Sequence, residues 1–251
     1  MATTTPVAEP RGFGVTQRRD AWWLQPAATA AGLGAFVVYS TWAALQNENY
    51  MWGPYLSPMY SPLIDLHLSI AGYPISPAFL ILWAPAGFRA TCYYYRKAYY
   101  RAFFLDPPAC AVGESGEHRY CGETKFPFLL QNMHRYFLYL ALLFLVILWH
   151  DAYKALFFED GFGVGVGTIV LTINAALLSG YTFGCHSLRH LVGGKLDTFH
   201  GGGARHACWK GVTGFNERHM LWAWLSLFWV GFADFYVRMV ASGVITDLRL
   251  F

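Results

Sequence analysis

The chain has 251 residues, of which 55% are hydrophobic, 18% aromatic and only 13% charged. A soluble domain carries about a quarter charged residues, so the composition excludes an ordinary water-soluble globule and predicts a low-dielectric surrounding. The net charge of +3 is too small to imply a nucleic-acid partner.

The expected elements run in chain order as follows. Residues 1–20 (MATTTPVAEPRGFGVTQRRD) have no apolar core, so they do not read as a secretory signal. A membrane-crossing helix needs about 20 mostly apolar residues. The first such stretch is 26–46. The second, 74–95, is interrupted by Pro77, Pro85 and Arg89, and its prolines either kink it or mark its start. The third, 132–149, contains LYLALLFLVILW. The fourth is 164–184, and the glycines of GFGVGVG at its start read as a turn and packing surface. The fifth, 220–240, is centred on WAWLSLFWVGFADFYV. The fold expected is an all-α integral membrane bundle of five transmembrane helices, a single domain over 1–251.

Lysine and arginine favour cytoplasmic loops. Arg11, Arg18 and Arg19 precede the first helix, whereas 47–73 has no basic residue. Basic residues return at Arg96, Lys97, Arg101, Arg119 and Lys125, thin to Lys154 alone, and return again from Arg189 to Arg218. The alternation predicts a cytoplasmic N-terminus, an outer C-terminus and two long cytoplasmic loops, 97–128 and 187–217. Such loops form a platform for a soluble partner or serve only as connections.

All five cysteines (Cys92, Cys110, Cys121, Cys185, Cys208) fall on the expected cytoplasmic side, where disulfides are disfavoured. They are therefore free thiols or metal ligands. Cys110, His118 and Cys121 form C-x7-H-x2-C, which lacks the second pair of an ordinary zinc site. Four helix ends carry ligand types at similar depth: Cys92 ends the second helix, His134 begins the third, Cys185 and His186 end the fourth, and His219 begins the fifth. Cys185 and His186 differ by about 100° around a helix, so at most one points straight inward. Polar groups in membranes face the bundle interior. Thiols and imidazoles at one level suit either a Rieske-type [2Fe–2S] cluster or a b-type haem held by paired imidazoles. The plain alternative is that these residues pack helix ends.

Arg89 either snorkels to the interface or hydrogen-bonds a quinone carbonyl. A quinone pocket needs aromatic walls and a few polar donors, for which Arg89, Tyr93, Trp222 and Ser226 are the candidates. Asp234 and Arg238 are spaced i,i+4 for pairing and read as an interfacial ion pair. A cofactor-free transporter or scaffold would need broken helices and midplane polar groups, for which Asn174 and Asp234 are the available residues.

Four stretches carry a resemblance: CYYYRKAYYRAFFLDPPACAVGE, LQNMHRYFLYLA, FGCHSLRHLVGGK and NERHMLWAWLSLFWV. They are similar to the single-chain membrane anchor, the cytochrome b or C subunit, of actinobacterial-type succinate dehydrogenase, respiratory complex II. The resemblance covers nearly the whole chain. It implies a multi-pass anchor in the plasma membrane, on which flavoprotein and iron–sulfur subunits dock, within an assembly that can be a higher oligomer. Succinate would be oxidised in another chain, and electrons would reach a quinone, menaquinone by expectation, through this subunit. Many single-chain anchors hold two haems b between histidines of the first four helices; here the first helix has none and the second has Cys92. The resemblance implies instead a membrane-embedded Rieske-type cluster, with Cys92 and Cys185 as thiolates and His134 plus either His219 or His186 as imidazoles.

Overall fold

The computed structural model describes residues 12–70, 72–114, 128–194 and 203–251. Helix α1 (Leu24–Gln46) leads into two small hairpins, β1 (Met51–Trp52) with β2 (Tyr55–Leu56) and β3 (Ser69–Ile70) with β4 (Tyr73–Pro74). Helices α2 (Pro77–Thr91) and α3 (Tyr93–Tyr99) follow, and α3 runs into a π-helical turn, Tyr100–Phe104. A 3-10 turn, Phe128–Met133, opens α4 (His134–Lys154). A third hairpin, β5 (Phe157–Phe158) and β6 (Gly161–Phe162), precedes α5 (Val166–Phe183), α6 (His186–Gly193), α7 (Gly203–Glu217) and α8 (His219–Ala241).

Among the described residues, four helices are long and apolar enough to cross a membrane: Leu24–Gln46, Leu129–Lys154, Val166–Phe183 and His219–Ala241. The expected second span is shorter than its sequence suggested. α2 has 15 residues, about 22 Å at 1.5 Å per residue, against a hydrocarbon core of about 30 Å. Its limits have local causes. Pro77 sits at the first helical position, where a missing N–H costs nothing, and Cys92 is extended (φ −64°, ψ 130°) and caps α3 instead of continuing α2. Pro85 lies inside α2 without ending it. The 187–217 connection also differs from expectation. It is largely helical among its described residues, with α6 packed on α7.

The chain divides into two compact units. In the first, residues up to 37 and 90–132, the N-terminal segment pairs with the segment after α3 through a bridge between Thr16 and Val112. Arg18 Nη1 donates to the Cys110 carbonyl at 3.0 Å. His118 and Cys121 lie outside the described residues, so the C-x7-H-x2-C fragment is represented only by an exposed Cys110.

In the second unit, 38–89 and 133–251, α5 packs between α4 and α8. Small residues allow the approach: an added Cβ at Gly180 would stand 2.8 Å from the Trp222 ring. Tyr55, Ala155, Leu171 and Val237 form a buried apolar cluster at one end of the bundle. There the Asp247 carboxylate accepts from Tyr55 Oη at 2.7 Å and from the Gly167 amide at 2.9 Å, which ties the C-terminal segment to the start of α5. Val38, Leu143, Val146 and Phe228 point outward. In a membrane these side chains meet lipid, so their exposure carries no penalty.

Asp234 and Arg238 do pair, at 2.8 Å, yet the pair is buried, with side-chain exposures of 0% and 4%. Asp234 also accepts from Tyr39 Oη at 2.7 Å and from Ser57 Oγ. Arg238 donates to the carbonyls of Ala43 (2.7 Å) and Glu48 (2.9 Å). Every charge is thus matched, as burial requires.

Candidate functional site

At the opposite end of the second unit, α5 stops at Phe183 and the chain turns through Gly184. Gly184 is sterically required: a Cβ there would meet the Gly180 carbonyl at 2.9 Å, the Phe215 carbonyl at 3.0 Å and His219 Nδ1 at 3.1 Å. Asn216 Nδ2 donates to the Gly184 carbonyl at 2.7 Å, fixing the start of α8 beside the end of α5. Cys185 then takes the extended conformation (φ −64°, ψ 133°) and caps α6. Its backbone angles nearly repeat those of Cys92 at the α2–α3 break. Both cysteines are buried.

The helix break separates the neighbours Cys185 and His186. Cys185 Sγ lies 3.1 Å from His134 Nε2, at the start of α4. His186 is exposed, and its Nε2 lies 3.0 Å from His190 Nε2. Burial, and after it His190 and Arg189, hold the His186 imidazole below its ordinary value. His219 is part-buried at the start of α8.

Two aromatic residues not singled out in the sequence organise these imidazoles. Phe88 stacks on His134 with ring centroids 4.9 Å apart and planes 2° apart. Tyr181 stacks on His219 at 5.0 Å and 17°. Phe88 and Tyr181 meet edge-on at 5.4 Å. Spacing offers a partial signal for Tyr181: it lies four residues before Cys185, one helical turn away.

Arg89 does not snorkel. Its guanidinium lies 4.7 Å from the Tyr181 ring centroid, Nη2 donates to Ser226 Oγ at 3.0 Å, and Nη1 reaches the Ala223 carbonyl at 3.4 Å. Of the four quinone candidates, Arg89 and Ser226 are therefore in direct contact. Trp222 packs against Gly180, and its indole N–H finds no acceptor among the described residues. Tyr93 belongs to the first unit, is 68% exposed, and lies under the Arg96 guanidinium at 5.1 Å.

Among the described residues, no three His, Cys, Asp or Glu side chains gather as a metal-holding group. The pair His134–Cys185 is the tightest nucleus for one. Its donor set, a buried thiol and a neutral-capable imidazole, fits iron–sulfur ligation. The haem alternative fits less well. His134 Nε2 meets a sulfur, not a facing imidazole, and the buried rings of Phe88 and Tyr181 pack on the imidazoles where a macrocycle would need an open slot.

Long apolar helices enclosing a buried thiol–imidazole pair at one end define a membrane-integral helical protein. Residues 24–243 match the family model for actinobacterial succinate dehydrogenase subunit SdhC, and the chain belongs to that family. It is thus the membrane subunit of a succinate dehydrogenase complex. Among solved structures, it is similar to a chain of the Mycobacterium smegmatis Sdh1 complex in the apo form, with 41% identity and a TM-score of 0.88 over 100% of this chain and 98% of that one. No curated protein matches. The family assignment replaces the transporter or scaffold reading, and Asp234, one of its two supports, is held in a matched ion pair.

Proposed function

We propose that this subunit carries electrons from the iron–sulfur subunit of succinate dehydrogenase to a quinone through a membrane-embedded Rieske-type [2Fe–2S] cluster. The observation that carries the reading is the 3.1 Å approach of His134 Nε2 to the buried Cys185 sulfur. A Rieske centre takes two thiolates and two imidazoles. The set we assign is Cys92, Cys185, His134 and His219. Cys92 enters because it is buried and repeats the extended, helix-capping conformation of Cys185. His219 is preferred to His186 because it is part-buried and stacked on Tyr181, whereas His186 is exposed and engaged with His190.

The cluster, when bound, supplies one-electron transfer. The protein positions it and keeps water out. Phe88 and Tyr181 hold the planes of the two imidazoles by stacking, and their burial excludes solvent from that side. The start of α6 presents backbone N–H groups beside Cys185, an arrangement that favours a net negative occupant. For quinone, we assign Arg89, Ser226 and Trp222 as the polar group. Arg89 and Ser226 are already hydrogen-bonded to each other, and the Trp222 indole N–H is available to a carbonyl oxygen. Tyr93, exposed and in the other unit, is a weaker candidate for this pocket. Menaquinone is the expected acceptor.

We further read the short α2–Cys92–α3 segment as a fifth, broken crossing. The N-terminus is then cytoplasmic, and the flavoprotein and iron–sulfur subunits dock on the cytoplasmic side of the plasma membrane. Reduced complex should give an EPR signal of low average g beyond those of the iron–sulfur subunit, and Cys185→Ser or His134→Ala should abolish it. A stoichiometric pyridine haemochrome with no such signal would overturn the cluster in favour of haem b.

A further inference from the structure

Asn174 has no role in that reading. It is 1% exposed in the middle of α5, and its Oδ1 has no hydrogen-bond partner among the described residues. A buried polar atom left unmatched is costly, and in a membrane no water offsets the loss. A second acceptor of this kind lies on α2. Pro85, inside that helix, has no amide hydrogen to give the carbonyl of Ile81 four residues earlier. Ile81 is itself 3% exposed.

The two acceptors come to one depth. α2 and α5 run the same way. Both start beside the 55–60 segment, through Ser76 Oγ to Tyr60 Oη at 3.2 Å and Tyr55 Oη with Thr168 Oγ1 at 3.4 Å. Both end where the Phe88 and Tyr181 rings meet. Ile81 lies seven residues before Phe88, and Asn174 seven before Tyr181. Each is therefore two turns, about 10 Å, deeper on the same stripe of its helix. On α8, Trp222 packs against Gly180, and Trp229 Nε1 donates to the Val170 carbonyl at 3.0 Å. Between these contacts Ser226 reaches the depth of Asn174 to within about 3 Å, at 1.5 Å per residue. The bond from Arg89 Nη2 to Ser226 Oγ brings the guanidinium to that depth too.

The chemistry of the reaction says what such acceptors are for. A quinone carbonyl oxygen only accepts, and the Arg89 guanidinium and Trp222 indole only donate, so they match the oxidised ring. Reduction adds two electrons from succinate and two protons from water, and each carbonyl oxygen becomes an O–H donor. We infer that Asn174 Oδ1 and the Ile81 carbonyl are the acceptor half of the pocket and hold the hydroquinone by its hydroxyls. The inference rests on the quinone assignment above and extends it to the product. The Asn174 amide can also turn its N–H groups to a carbonyl, whereas the Ile81 carbonyl serves the reduced ring alone.

Purified whole complex would be assayed anaerobically for succinate oxidation, with 2-methyl-1,4-naphthoquinone as acceptor and its hydroquinone as added product. Asn174→Leu removes the polar atoms at similar volume. It should raise the inhibition constant of the hydroquinone about 5-fold, the order of one hydrogen bond, and move the quinone KM by less than about 2-fold. Pro85→Ala gives the Ile81 carbonyl an amide hydrogen and favours the helix, so it decides the matter alone if Asn174→Leu yields no intact complex. It should raise the same constant about 3-fold and leave KM unchanged. Absence of hydroquinone inhibition in the wild type, unchanged inhibition constants in the variants, or KM rising in step with them would overturn the inference. Arg89→Gln separates the two readings. A quinone KM unmoved by it refutes the pocket itself, whereas a raised KM there with an unchanged inhibition constant in Asn174→Leu and Pro85→Ala refutes only the acceptor half.

Discussion

Asp234→Ala would remove the carboxylate that matches Arg238 while leaving the guanidinium buried at 4% exposure. Breaking a buried ion pair by deleting one partner costs about 3–5 kcal/mol, because the remaining charge is uncompensated. Tyr39 Oη and Ser57 Oγ would lose their acceptor as well, which places the effect toward the upper end. For a chain of this size, 1 kcal/mol moves the unfolding midpoint by about 2–4 °C, so a fall of roughly 6–20 °C is expected. The assay is thermal unfolding of the purified complex in detergent. A second variant separates charge from packing: Asp234→Leu with Arg238→Met removes both charges, and replacing a buried pair by apolar side chains is often neutral, so most of the loss should be recovered. A single variant within about 2 °C of wild type, or a double variant as unstable as the single one, would refute the argument that an unmatched charge is the cause.

Further outcomes follow from the site and its supports. Tyr181→Leu should raise the quinone KM at least 10-fold in steady-state assays and alter the line shape of the EPR signal, because the ring contacts both Arg89 and His219; Tyr181→Phe, which keeps the ring, should preserve both. Gly180→Ala would push a methyl group to 2.8 Å from Trp222, an overpacking of about 1–3 kcal/mol, visible as a lower unfolding midpoint and a higher quinone KM. Burial, and the Asp247 carboxylate as the next raising influence, hold the Tyr55 phenol above its ordinary range. The folded state then keeps a proton that the unfolded chain releases near pH 10. Stability is full below that pH and falls as pH rises through it. Tyr55→Phe should flatten this alkaline limb in unfolding midpoints measured across pH.

The long helices were legible because length and apolar composition leave little choice for runs such as LYLALLFLVILW. α4 and α8 start within about two residues of where the sequence placed them. The break at Cys92 was not legible, since nothing in TCYYYRK forbids helix by propensity and only the tertiary arrangement selects an extended residue there. The same holds at Cys185, where the preceding glycine gives a hint. At the site, hydropathy picked out the ligand types but not their directions. Cys185 and His186 are adjacent in sequence and diverge in space because the helix stops between Gly184 and His186. The partners Phe88 and Tyr181 were hidden among many apolar and aromatic residues, where ring stacking has no sequence signature. From the sequence, Arg89 suited snorkelling to the interface as well as a quinone contact. It turns inward because Ser226 and the Tyr181 ring are there to receive it.

The end of α1 carries a consequence for how the chain is made. The carbonyl of Ala43, in the last turn of α1, accepts from Tyr60 Oη at 2.9 Å and from Arg238 Nη2 at 2.7 Å, and Tyr60 also reaches the Ala44 carbonyl at 3.3 Å. These donors lie 16 to 195 positions later in the chain. The first helix to emerge from the ribosome therefore waits for the last one before its end is closed. Arg238, buried only when Asp234, Tyr39 and α1 are in place, makes completion of α8 a checkpoint: a chain cut short before it would present an open helix end to the quality-control machinery of the membrane.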